Sequence, residues 1–167
     1  NKNLSIFNFG NISLRINKNH FCIKPSGVDV NKLTTKDIPV INIISGKKIS
    51  GKLRPSVDTE THLMLYRNNK DITSIAHSHS KFATAWSQSG HSLKNFGTTH
   101  SDYFYGDIPN INFLPKNRVE NNYEFNTGKY ILEYFRKKKL DLMKMPAVLL
   151  RGHGPFTWGF SHSEALK

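Results

Sequence analysis

Apolar and polar residues alternate over positions 12–16 (ISLRI) and again over 21–24 (FCIK), with the polar run NKNH between them. Period-two alternation on both sides of a short polar turn predicts a β-hairpin. Positions 38–44 (IPVINII) read as a strand ended by Ser45-Gly46-Lys47. Positions 59–67 (TETHLMLYR) read as a short helix that Asp58 or Thr59 can cap. A strand over 74–76 leads into His77, and 80–89 (SKFATAWSQS) reads as a helix stopped at Gly90. The clearest helix is 127–138, where Tyr130, Ile131, Tyr134 and Phe135 recur at i, i+1, i+4 and i+5. Positions 147–150 form a short apolar strand, 151–155 (RGHGP) a Gly-rich turn and 156–160 a returning strand, after which Ser161 opens another helix. Strands separated by helices predict an α/β layered domain.

The 167 residues suit one domain with a proper hydrophobic core, and no repeat or linker divides them. Composition is that of a folded chain, with 37% hydrophobic and 11% aromatic residues. No run approaches the ~20 apolar residues that a membrane helix needs. The opening NKNLSIFNFGNIS lacks the pattern of a secretory signal. The single cysteine cannot form an internal disulfide, which fits a reducing compartment such as the cytoplasm. A net charge of +12 invites a nucleic-acid reading, but the distribution argues against it. Lys and Arg are spread along the chain, and the one dense cluster, residues 136–139, reads as the solvated last turn of a helix. Zinc-finger spacing, RNP-type aromatics and basic heptads are absent. The richness in Asn, Lys and Ile matches A/T-biased codons, which raise the charge without an acidic partner. A phosphorylated small substrate benefits from the same field.

The histidines change the picture. In an extended strand, residues i and i+2 face one side, so His77 and His79 can reach one point. His153 sits in the turn after a second apolar strand, between Gly152 and Gly154, at a strand's carboxyl end where α/β proteins place ligands. Together they make a three-histidine set, and zinc in such a set keeps an open position for substrate. His20, His91 and His162 read as surface residues, while His62 and His100 are left open. Asp58 reads as a helix N-cap or as a carboxylate near the metal. Asp102, among the aromatics of residues 97–106 (GTTHSDYFYG), can be tuned by desolvation for proton transfer. The turns at 10–13 (GNIS) and 24–27 (KPSG) offer backbone N–H groups and small polar residues suited to phosphate, though each also reads as an ordinary turn.

The segments GNIS, IKPSGV, PSVDTETH, IAHSHS, GTTHSDYFYGDIP, YEFNTG and PAVLLRGHGPFTWG occur in an order that resembles the class II aldolase and epimerase family, most closely its L-ribulose-5-phosphate 4-epimerase branch. The resemblance spans nearly the whole chain. It implies a three-layer α/β/α fold with a central, mostly antiparallel sheet, and a homotetramer with active sites shared between subunits. It implies a zinc cofactor held by His77, His79 and His153 with Asp58 as the carboxylate at the metal. Asp58 itself favours the epimerases, since the related aldolases typically carry Glu there. Asp102, given by the neighbouring subunit, is the implied acid/base, accompanied by Thr98. Glu124 is a further site carboxylate. Asn11, Lys24, Ser26, Gly27 and Ser56 are the implied phosphate contacts. The implied reaction inverts C4 of L-ribulose 5-phosphate by breaking and remaking the C3–C4 bond, giving D-xylulose 5-phosphate. A small sugar phosphate is then the partner, with neither nucleic acid nor membrane involved.

The chain departs from that pattern in places. Val57 stands where the family has a phosphate-binding Ser, Arg151-Gly152 where His-Ser is usual, and Asn110-Ile111-Asn112 where Cys-Thr-Arg is common. Relative to the family, the single domain over 1–167 is read as lacking the N-terminal helix and the C-terminal helical region with its second acid/base Tyr. Retro-aldol cleavage alone, which needs the metal and one base, is the alternative activity. A zinc-binding remnant without turnover is the non-enzymatic alternative.

Overall fold

The computed structural model describes residues 9–166; of the opening stretch 1–13 read as lacking a signal, the first eight residues lie outside them. The alternating segment after Gly10 forms β1 (Asn11–Asn17), and the polar turn folds it back as β2 (His20–Ile23), antiparallel with Ser13 opposite Ile23. The apolar run at 38–44 supplies only β3 (Val40–Asn42). The Asn42 side chain accepts a hydrogen bond from the Ser45 N–H at 2.8 Å, and the chain turns there into β4 (Lys48–Ser50). The sequence pattern does not reveal this edge strand because all three of its residues are exposed. A lysine on a short edge strand also discourages pairing with other chains.

The remaining elements are α1 (Thr59–Asn68), β5 (Ser74–His77), α2 (Lys81–Ser89), α3 (Thr98–Ser101), β6 (Asn110–Ile111), α4 (Lys116–Val119), α5 (Tyr123–Lys137), β7 (Ala147–Leu150), β8 (Gly154–Gly159) and α6 (His162–Ala165). Helix α2 ends at Gly90 in the left-handed conformation, and Ser161 caps α6 by accepting from the Glu164 N–H. Helix α5 begins one turn before the periodic segment. Its first turn contains Tyr123 and Glu124, which are half-buried polar residues that carry no apolar period.

The eight strands of the described residues form one sheet in the order β4-β3-β2-β1-β5-β8-β7-β6. Every pairing is antiparallel except β6 with β7. Register aligns Asn11, His77, Phe156 and Val148 across four strands, and Ser13, Ile75 and Trp158 one step along. That face is covered by α1 and α5: Ser13 bonds to His62 and Tyr66 of α1, and Phe135 of α5 packs on Trp158 at 5.5 Å. The opposite face receives α2 and α6, where the Thr157 hydroxyl donates to the Ala165 carbonyl. The fold is therefore the three-layer α/β class expected, with a mostly antiparallel sheet. The core contains Phe21, Ile41, Leu63, Leu65, Ile75, Phe135, Phe156 and Trp158. Among the described residues no helix is long and apolar enough to cross a membrane.

Candidate active site

Strand β5 is buried along its whole length and ends at His77. His77 is stacked on Phe156 of β8 at 4.2 Å, and its Nδ1–H donates to the Pro155 carbonyl at 2.9 Å. That bond fixes the ring and leaves Nε2 as a lone pair. His79 follows just beyond the strand, with its Nε2 3.0 Å from that of His77. His153 enters from the β7–β8 turn, where Gly152 has φ of 75°. A Cβ at Gly152 would lie 2.6 Å from the Phe113 ring, so the turn depends on glycine for both backbone angle and space. Because β8 pairs with both β5 and β7, the turn is carried alongside the end of β5. The His153 ring centroid lies 4.7 Å from that of His77 and 5.3 Å from that of His79.

The donor atoms of these three histidines all lie within 4.8 Å of one another. Burial holds His77 well below the ordinary imidazole range. Burial, reinforced by the neighbouring His79, lowers His153 to about 4. Neutral imidazoles with free lone pairs are the form that ligates a divalent cation. The geometry and the donor chemistry both fit such an ion.

The cluster opens on a pocket of about 330 Å³. Its lining includes Asn11, Lys24, Ser26, Gly27, Ser56, Asp58 and Glu124 together with the three histidines. Sequence positions 11 to 153 thus converge through sheet pairing and through the bridge between Pro25 and Pro55. Asp58 occupies the N-cap position of α1 but makes no side-chain cap. Its carboxylate instead accepts from the Asn11 Nδ2 at 2.6 Å. Burial raises its pKa to about 6, against the Asn11 hydrogen bond and with help from nearby Glu124. Asp58 is thus in the pocket but outside the tight three-histidine group. A larger cleft of about 650 Å³, mainly apolar, runs along the other sheet face and meets this pocket at Phe9, Asn11 and His77.

Asp102 and Thr98 do not join the pocket in a single chain. They lie at the two ends of α3, both exposed. Arg151 donates to Asn112 at 3.0 Å and lies over the Phe113 ring at 4.9 Å, so it props the turn instead of meeting the histidines. Val57 is exposed beside Ser56 at the pocket rim. His62, left open by the sequence, is fully buried on Ser13. His91 and His162 are exposed as expected, and His20 is half-buried against Asn42. Tyr123, like Phe9, is a pocket residue that sequence reasoning passed over. Its phenol oxygen is 3.1 Å from the His153 Nδ1. Its only sequence signal is its place directly before Glu124 at the start of a helix.

Comparison with solved structures places this fold among known proteins. An L-fuculose 1-phosphate aldolase superposes with a TM-score of 0.72 at 24% identity, over 99% of this chain and 69% of the other. YgbL from Escherichia coli, an aldolase/epimerase/decarboxylase candidate, superposes at 0.73 with 24% identity, over 98% and 74%. An L-fuculose-1-phosphate aldolase from Thermus thermophilus gives 0.68 at 26% identity, over 96% and 73%. The sequence itself matches the Class II Aldolase and Adducin N-terminal domain family across residues 1–167. With its sequence matched over the whole of residues 1–167, the chain belongs to the class II aldolase and adducin N-terminal domain family.

Proposed function

We propose that this protein is a zinc-dependent sugar-phosphate enzyme that inverts C4 of L-ribulose 5-phosphate to give D-xylulose 5-phosphate. The observation that carries the reading is the convergence of His77, His79 and His153 on one pocket with Lys24, Ser26, Gly27 and Ser56. That pairing offers a cation site at one end of a small substrate and an anion site at the other.

The residues divide the work. Lys24, the hydroxyls of Ser26 and Ser56 and the Gly27 backbone hold the phosphate, so a cleaved fragment stays bound. His77, His79 and His153, with Asp58 beside them, hold the cation. Bound there, a divalent cation supplies Lewis acidity and offsets the negative charge that cleavage develops. Cleavage begins when a base takes the C4 hydroxyl proton. C4 becomes an aldehyde carbon, and the C3–C4 electron pair stays on C3, conjugated with the C2 carbonyl. Rotation of the phosphate-bearing aldehyde and re-addition on its other face invert C4. Asp102 of a second copy is the acid/base we assign to one face, with Thr98 beside it. Both residues are exposed in the single chain and so open to a second copy, as the homotetramer with shared sites that we propose requires. Simple cleavage is the second reading, favoured by the aldolases among the similar folds.

The test is to load the chain with zinc, supply L-ribulose 5-phosphate, and follow D-xylulose 5-phosphate and free glycolaldehyde phosphate together. Xylulose 5-phosphate is the expected product. Release of glycolaldehyde phosphate alone assigns the aldolase reaction, and neither product with zinc bound overturns the enzymatic reading.

A further inference from the structure

We propose that Tyr123 is a positioning residue for the metal centre: its phenol holds His153 so that the Nε2 of that ring is presented to the cation. The inference rests on the reading of the three histidines as a metal site. A ligating imidazole is oriented by the hydrogen bond that its other nitrogen makes. His77 has such a partner in the Pro155 carbonyl. His153 sits between Gly152 and Gly154, which have no side chains to steady its ring. Tyr123 supplies the missing support from another element. With Nε2 turned to the cluster, the His153 Nδ1–H donates to the phenol oxygen across 3.1 Å. The two rings lie 6.1 Å apart at 40°, so the contact is a hydrogen bond without stacking.

Tyr123 is itself held firmly. It is the first residue of α5, entered through Asn122 in the left-handed conformation (φ 50°). The Thr127 hydroxyl donates to the Tyr123 carbonyl at 2.9 Å, and the Thr61 hydroxyl of α1 donates to the Glu124 carbonyl at 2.6 Å. Gly128 lets the two helices approach so closely that a Cβ there would lie 2.8 Å from the Met64 Cβ. The phenol is therefore set by the α1–α5 contact, a packed helix pair, and not by the turn it supports.

The experiment compares wild type, Tyr123→Phe and His77→Ala. Each is stripped of metal, titrated with zinc against a chelator, and separately loaded with cobalt(II) for its visible spectrum. Tyr123→Phe keeps the ring and removes only the oxygen. It is expected to bind zinc about 10- to 100-fold more weakly, with an altered cobalt spectrum and an unchanged melting temperature of the metal-free form. His77→Ala is expected to lose zinc outright. Wild-type zinc affinity and an unchanged cobalt spectrum in Tyr123→Phe would overturn the positioning role while the His77 result leaves the metal site standing. Failure of the wild type to bind any divalent ion would overturn both.

Discussion

At the scale of single residues, burial sets the chemistry. Asp58 is a carboxylate in a mostly buried position, where it accepts a hydrogen bond from the amide of Asn11. With its pKa raised from 3.8 to about 6, the metal-free fold holds its proton more tightly than the unfolded chain does. Stability from this group is present at low pH and lost as pH rises through about 6. At pH 7.5 the ionised group is a burden, so Asp58→Asn is expected to stabilise the metal-free protein by about 1–3 kcal/mol. The same change should weaken zinc binding and activity. Paired thermal melts and zinc titrations check both, and a less stable Asp58→Asn protein would contradict the account.

His62 works in the opposite direction. It is fully buried, bonded to Ser13 through Nδ1, with no partner at Nε2 among the described residues. Burial lowers its pKa from 6.5 to about 3. Between those values the unfolded chain binds the extra proton, so the contribution of His62 falls as pH drops below about 6.5. Its share of the slope approaches about 1.4 kcal/mol per pH unit. His62→Asn, which keeps a polar atom near Ser13, is expected to fold less stably but with a flatter pH dependence between pH 6.5 and 4. Urea melts across that range measure the slope.

At the scale of elements, the α1–α5 contact governs the pocket floor, since Asp58, Tyr123 and Glu124 all sit at the amino ends of these two helices. At Gly128 the two helices come close together, with Thr61 backbone atoms 3.1 Å from a notional Cβ. Gly128→Ala gains up to about 1 kcal/mol of helix propensity. Overpacking against Met64 and the Thr61 backbone costs about 1–3 kcal/mol. The net expectation is a loss of up to about 2 kcal/mol, together with weaker zinc binding because Tyr123 moves with α5. A shift in the urea midpoint reads the first, and a chelator-competition titration reads the second.

At the scale of the whole molecule, the charge of +12 matters for encounter more than for folding. An anionic substrate is drawn toward a positive surface, and salt screens that attraction within about 10 Å at 0.1 M. Raising ionic strength from 0.01 to 0.3 M is expected to lower kcat/KM several-fold and leave kcat nearly unchanged. Assembly belongs to the same scale. If Asp102 serves a neighbour's pocket, Asp102→Asn and His77→Ala proteins should each be inactive alone. Refolded together they should regain part of the activity, because some sites then receive one intact half from each. Activity that stays absent in every mixture would show that Asp102 does not serve a neighbour's pocket.

Short-range periodicity and residue type carry a definite part of this architecture. Alternation marks the first hairpin, helical spacing marks α1, α2 and most of α5, and the pair His77 and His79 at i and i+2 points to one ligand-bearing strand end. The Gly-His-Gly turn singles out His153, and the order of motifs points to the family. Tertiary structure decides which of these meet. The pairing of β8 with both β5 and β7 brings His153 to the other histidines across 76 residues of chain from His77. Helix packing puts the Tyr123 phenol on His153, and Asn11 draws Asp58 away from the cap its position suggests. Exposed β4 and the polar first turn of α5 leave no periodic trace. The physical reason is common to all of these. A hydropathy pattern records which side of an element is buried, but hydrogen bonds and contacts between distant segments depend on the register in which those buried faces pack.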